Sequence, residues 1–274
     1  MSQGPADDFR FRTPPALGKR VYRLGLSASK GIDEVAIREA LDAGVNYLFF
    51  TRKSMHRPVR EAARRDRERL VIASGPVLGY FPGSIRRATE KLLRVLGTDY
   101  LDVLQIFWLG KMSAYTDANV EEMVRLREEG KVRALGVSIH DRPRAGRLAE
   151  DSPLDLLMIR YNAAHPGAEA DVFPHLARRR PAVVAYTATC WRKLLSPPRG
   201  WQGPAASAGD CYRFCLTSPH VDVVLTAPAS AAELRENMQA LEKGPLPPGE
   251  EARMRALGRV VHGGASKGPS GPPG

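Results

Sequence analysis

The sequence predicts a (β/α)8 barrel, an α/β fold with a closed parallel sheet. Three observations carry that prediction. Eight short apolar runs recur along the chain, each followed by a helix or a helical turn, which is the arithmetic of eight β/α units. Several runs are apolar on both faces, as strands of a parallel sheet covered by helices must be. The length, 274 residues, suits one barrel of about 250 residues. An open doubly wound sheet is the structural alternative, but no Gly-x-Gly-x-x-Gly turn follows any strand.

In order, the strands are expected at residues 21–26, 47–50, 70–74, 101–106, 134–138, 154–160, 182–186 and 221–225. Amphipathic patterns between them predict helices at 32–43, 83–96, 119–129, 144–150 and 168–178. Gly44, Gly97 and Gly130 stand just past three of these helices, where a left-handed stop belongs. Residues 1–16 read as a polar leader able to add a hairpin across the barrel floor, and 17–262 as a single barrel domain. Residues 263–274, GGASKGPSGPPG, hold too little apolar surface to order themselves and are expected to be a disordered tail. The stretch 196–209 is a long loop after the seventh strand, on the face where barrel loops carry function.

Hydrophobic residues make up 43% and charged residues 26%, which excludes a chain disordered throughout. No run approaches the ~18 apolar residues of a membrane span. The start, MSQGPADDFRFRTPPALG, lacks an apolar signal segment. Three cysteines, Cys190, Cys211 and Cys215, form no disulfide framework. These features predict a cytoplasmic protein with no membrane partner. Lys and Arg outnumber Asp and Glu by 41 to 30, a net charge of +11. The densest basic runs, 64–69 and 178–180, precede strands and so fall at the bottom of the barrel, and no aromatics interleave with them. Nucleic acid is therefore disfavoured as a partner, and a small-molecule ligand is expected.

Five phrases then occur in a fixed order: Leu96-Gly97-Thr98-Asp99-Tyr100-Leu101-Asp102-Val103, Gly130 to Ser138 (GKVRALGVS), Arg160-Tyr161-Asn162, Val183-Val184-Ala185-Tyr186, and Leu234 to Leu241 (LRENMQAL). Together they resemble the aldo-keto reductase family, over nearly the whole chain from about Arg20 to His262. The resemblance implies a (β/α)8 TIM barrel of the aldo-keto reductase type. It also implies reduction of a carbonyl with NADPH or NADH, by a Tyr proton donor tuned by an Asp and a Lys, with a His orienting the carbonyl. This chain departs from that tetrad. Phe49 stands for the Asp, residues 52–55 offer no Tyr, Ser74 leads into Gly75 where the Lys belongs, and Phe107 precedes Trp108 where the His belongs. By the same resemblance, Ser138 and Tyr186 would meet the nicotinamide, and Glu236 and Asn237 the adenine. The 2′-phosphate positions carry Ala227, Pro228 and Glu233, and a Glu there repels phosphate.

Strand ends should project Phe49, Arg52, Phe107, Trp108, Arg160 and Asn162 into a substrate pocket. The aromatics either wall an apolar ligand or fill space left by polar groups. Arg52 and Arg160 suit a carboxylate or phosphate. Tyr161 and His140 are the surviving candidates for proton transfer. Against them, Tyr161 reads more readily as a buried ring with a bonded hydroxyl, and Asp141, beside His140, as a helix cap. Cys211 and Cys215 share a helix face but lack metal-site spacing, so core thiols are expected and no metal site is assigned. The sequence thus predicts a nicotinamide-dependent oxidoreductase acting on a small carbonyl through groups of its own. The alternatives are a catalytically degenerate barrel that binds ligand or regulates, and a non-redox enzyme acting on an anionic substrate.

Overall fold

A computed structural model of the chain describes residues 8–265. The described chain opens with a short antiparallel hairpin, β1 (Phe11–Arg12) against β2 (Val21–Tyr22), which register Phe11 with Tyr22. The barrel strands follow: β3 (Leu24–Ser27), β4 (Tyr47–Phe49), β5 (Val71–Ser74), β6 (Leu101–Ile106), β7 (Val132–Ile139), β8 (Leu156–Arg160), β9 (Ala182–Tyr186) and β10 (Val223–Thr226). All pair in parallel with their sequence neighbours, and β10 returns to β3, with Val224 opposite Leu24, to close the sheet. Between and after them lie α1 (Glu34–Asp42), α2 (His56–Arg65), α3 (Pro82–Leu96), α4 (Asp117–Glu128), α5 (Arg142–Glu150), α6 (Ala168–Asp171), α7 (Ala208–Thr217), α8 (Ala231–Glu242) and α9 (Pro248–Ala265).

Local chemistry sets the helix ends. Asp33 and Asp141 cap α1 and α5 by accepting from the Ala36 and Arg144 amides at 2.8 and 3.0 Å. Gly97 ends α3 at φ 66°, a conformation that a Cβ disfavours. Along the strands, alternate side chains fill two cores. Tyr47, Val71, Val103, Ala134 and Leu156 pack inside the barrel with Val21 of the hairpin. Their neighbours Leu48, Ile72, Leu104, Leu135 and Leu157 face the helices.

At the bottom of the barrel one device recurs on every second barrel strand. Asp102 of β6 accepts from the Ile72 amide of β5 at 2.9 Å. Asp155, just before β8, accepts from the Leu135 amide of β7 at 3.0 Å. Asp222, just before β10, accepts from the Val183 amide of β9 at 2.8 Å. Asn46, just before β4, closes the set by accepting from the Tyr22 amide at 2.7 Å and donating to the Arg20 and Arg69 carbonyls. Each carboxylate is also held by cations: Asp102 by Lys19 and Arg67, Asp155 by Arg127, Asp222 by Arg12 and Arg180. Each basic run singled out in the sequence therefore sends one arginine, Arg67 or Arg180, to an acid of the barrel floor.

Several expected boundaries shift. The run 21–26 divides at Arg23, whose buried guanidinium donates to the Leu216 and Val221 carbonyls, so Val21–Tyr22 joins the hairpin and only β3 enters the barrel. The helix expected over 168–178 is broken: α6 stops at Asp171, and a 3-10 turn, Phe173–Leu176, takes over around Pro174. Of the expected tail, Gly263–Ala265 complete α9, and residues 266–274 lie outside those described. Residues 1–7 of the leader lie outside as well. Among the described residues no helix is long and apolar enough to cross a membrane.

Removing a carboxylate from this floor should be costly because it leaves half-buried cations without a counter-charge and a strand amide without its acceptor. Asp102→Ala is expected to lower unfolding stability by about 3 kcal/mol, measured in urea. Asp102→Asn, which can still accept from the Ile72 amide, should lose less.

Candidate functional site

The strand alternation that buries Val103, Leu156 and Val184 inside the barrel carries on to its C-terminal mouth. There it presents Phe49, Phe107, Ser138, Arg160 and Tyr186, all half-buried. Phe49 and Phe107 form one wall, edge to face at 5.3 Å. Trp108 turns into the left-handed region at φ 45° and sets its ring 5.5 Å from that of His140. Opposite the phenylalanines is a polar corner. The Tyr186 hydroxyl lies 2.9 Å from His140 Nε2 and 3.1 Å from Nδ1. Arg160 is paired in register with Tyr186 on the neighbouring strand.

Electrostatics make this corner unusual. Burial, with Arg160 adding to it, lowers the His140 pKa, so the imidazole stays neutral and shares a hydrogen bond with the Tyr186 hydroxyl. Burial pushes the Tyr186 phenol up to about 12. Arg160 meets no carboxylate among the described residues, and its guanidinium lies 5.7 Å from the Trp191 ring. The Ser138 hydroxyl has no protein partner among the described residues. A half-buried cation with unused donors, beside a neutral His–Tyr pair and an aromatic wall, suits a small ligand with an anionic end and a carbonyl or hydroxyl end.

Three expected site residues lie elsewhere. Tyr161 follows inward-facing Arg160 and so faces out, into the helical layer. It is buried between Phe173 and Phe214, and its hydroxyl donates to Glu169 at 2.6 Å. That hydroxyl opens on a separate lateral cleft of about 900 Å³ and takes no part in the mouth. Asn162 is fully buried and builds a turn, donating to the Thr187 carbonyl and accepting from the Ala164 and His165 amides. Asn237 is buried on α8 and donates to Thr226, which also bonds Tyr212. Of the others, Arg52 is exposed on the rim and Glu236 is exposed on α8. The three cysteines are buried and unpaired with one another.

Other features of the mouth escaped sequence reasoning. Gln105 is a fully buried amide one layer below the mouth, its Oε1 without a partner among the described residues. As an amide within the otherwise apolar stretch 103–106 it left a legible signal. Gly75 has a different reason to exist: a Cβ there would lie 2.0 Å from the Gln105 carbonyl oxygen, so no side chain fits. The loop after β9 holds Cys190, Trp191 and Arg192 at φ 50°, 52° and 70°, three consecutive left-handed residues that no glycine announces. Such backbone costs roughly 1–2 kcal/mol per residue, and it holds the Trp191 ring out at the rim.

Comparison with known proteins follows the geometry. The model of the aldo/keto reductase family matches residues 33–190. A methylglyoxal reductase of Escherichia coli is 27% identical over 183 residues, 63% of this chain and 63% of that protein. An aldo-keto reductase of Bacillus subtilis is 24% identical over 201 residues, 66% of this chain and 60% of its own length. An NADH-specific methylglyoxal reductase of Escherichia coli is 27% identical over 117 residues, 42% of this chain and 36% of that protein. The chain thus spans less than two thirds of these relatives. Among solved structures, the apo and holo forms of an aldo-keto reductase from Bacillus halodurans both superpose with a TM-score of 0.74 at 22% identity. They cover 90% of this chain and 95% and 96% of theirs, which establishes the fold.

Two measurements follow from the geometry. His165 sits among Arg160, His262 and Trp191, and burial first, then Arg160, pushes its pKa down from 6.5 to about 4. Between those values the unfolded imidazole binds a proton that the folded one refuses, so stability is full above pH 6.5 and falls toward pH 4. The thermal midpoint should follow that fall, and His165→Asn should flatten part of it. Tyr161→Phe should cost about 1–2 kcal/mol of stability and leave ligand binding at the mouth unchanged.

Proposed function

Because the chain belongs to the aldo/keto reductase family, we propose that it is a nicotinamide-dependent oxidoreductase acting on a small carbonyl compound that bears an anionic group. One observation carries this reading: Arg160, half-buried and without a carboxylate partner among the described residues, stands beside the hydrogen-bonded His140–Tyr186 pair. Two relatives named for methylglyoxal reduction support the carbonyl class.

The two ends of the cofactor site differ in fit. At the mouth, the free Ser138 hydroxyl suits a nicotinamide amide, beside the His140–Tyr186 pair. At the start of α8, Glu233 accepts from the Ala229 amide at 2.9 Å, and its own amide is capped by Ser230 at 3.2 Å. That helix N-terminus already carries an anion, so a 2′-phosphate is repelled, whereas a carboxylate can accept from a ribose 2′-hydroxyl. These residues fit NADH and oppose NADPH. When bound, the cofactor supplies a hydride. Arg160 then binds the substrate's anionic group, Phe49 and Phe107 exclude water, and Tyr186 Oη is the proton source for a developing alkoxide. An alkoxide is more basic than a tyrosinate, so that transfer runs downhill even from a phenol at about 12. His140 orients the phenol as a positioning residue.

A second reading has its own observation. Gly75, where the resemblance puts a lysine, has no room for any side chain, which favours a barrel that binds an anionic ligand without redox turnover. Titration of Trp fluorescence decides between them. The oxidoreductase reading expects micromolar NADH binding, NADPH weaker by about tenfold or more from the added charge near Glu233, and a gap narrowed by Glu233→Lys. Arg160→Ala should weaken a small 2-oxo carboxylate by about tenfold or more. If neither dinucleotide binds up to millimolar while the 2-oxo carboxylate still raises the thermal midpoint through Arg160, the second reading stands.

A further inference from the structure

All six large apolar side chains that stand exposed among the described residues lie at the mouth end of the barrel. Four share the loop after β5: Val77 is 68% exposed, Leu78 56%, Tyr80 39% and Phe81 72%. Trp191, 56% exposed, follows β9, and Val35, 63% exposed, starts α1. They radiate from β3, β5 and β9, so they are distributed around the mouth rather than gathered in one groove.

These side chains are held outward. Asn119 donates to the carbonyls of Gly79, Tyr80 and Ala114, the Tyr80 hydroxyl donates to the Lys111 carbonyl, and Ser84 donates to those of Leu78 and Phe81. The left-handed run at Cys190–Arg192 does the same for Trp191.

Charge is distributed in the same way. The eight loops that leave the C-terminal strand ends contain seven lysines and arginines, among them Arg52, Lys53, Lys111, Arg192 and Lys193. Among the described residues none of the seven is in an ion pair. Those loops contain two acids, Asp33 and Asp141, and both are engaged as helix caps. At the first turns behind them, Glu34, Asp210 and Glu169 are paired with Arg38, Arg213 and Arg255, while Asp117 and Glu233 meet no cation among the described residues, which leaves the cations of the loops in excess.

We infer that the mouth face docks on an anionic phospholipid surface, with Leu78 and Phe81 on one side of the opening and Trp191 on the other entering the interface, and the unpaired cations on the headgroups. Apolar prongs spread round a rim match a flat, extended partner. An acidic peptide would need a continuous groove, and the exposed apolar residues trace none. That no helix among the described residues is long and apolar enough to cross a bilayer does not bear on lying on one.

Flotation of the full chain with phospholipid vesicles tests this. It should float with phosphatidylcholine–phosphatidylglycerol vesicles at low salt, stay behind with phosphatidylcholine alone, and detach as salt rises. Leu78→Ser with Phe81→Ser should weaken partitioning by at least about tenfold, and Lys53→Ala and Lys111→Ala by about fivefold each. Brominated lipid should quench wild type more than Trp191→Phe, which keeps the test decisive if the loop variant misfolds. No flotation with anionic vesicles, or flotation indifferent to the loop variant with its thermal midpoint intact, overturns the inference. So does retention on polyglutamate that anionic vesicles do not compete, since it assigns the face to an acidic protein.

Discussion

The barrel rests on a ring of buried oxygen acceptors at its floor. A parallel sheet that closes on itself must fix the stagger of every strand, and side-chain packing alone tolerates slips. Asp102, Asp155 and Asp222 each take a backbone amide of the preceding strand, and Asn46 ties β4 to the hairpin by the same logic. A register shift would strand a buried carboxylate, which is far more costly than a misplaced methyl. The cations needed to neutralise these acids come from the hairpin region and from residues just before the strands. Closure, register and charge balance are therefore one arrangement.

That arrangement leaves the other end of the molecule unbalanced. The floor neutralises its strand-end acids and covers its apolar surface with Val21 and the hairpin. The mouth keeps unpaired cations, exposed aromatics, a run of left-handed backbone and an unsatisfied Gln105 oxygen. Each feature opposes stability, and their accumulation at one end is the division of labour expected of a barrel whose loops carry function.

Much of this was legible in the sequence, for identifiable reasons. Ala182–Tyr186 is legible to the residue because it is an uninterrupted strand-forming run, and Leu101–Ile106 because its apolar residues outweigh Asp102 and Gln105. Gly44, Gly97 and Gly130 all adopt positive φ as expected of helix stops. The division at Arg23 was hidden because its partners, Leu216 and Val221, are nearly two hundred residues away. The last helix, α9, was missed because glycines blur its periodicity. Within the site, Tyr161 was misplaced for want of a parity count: Leu156, Met158 and Arg160 face inward, so Tyr161 cannot. The engagement of the Asn237 amide by Thr226 was hidden because the two residues belong to different elements.

The helices that follow the barrel strands run from the mouth to the floor, which gives the molecule a permanent dipole along the barrel axis. Each adds about half a positive charge at the mouth, and α9 alone among the described helices runs the other way. A net charge of +11 describes the chain as a uniformly basic sphere, which it is not. In an electric field, on a cation-exchange bead or at an electrode, it should orient like a compass needle, with the opening facing the negative side and the hairpin trailing. Its isoelectric point thus says little about which surface a partner or an instrument meets first.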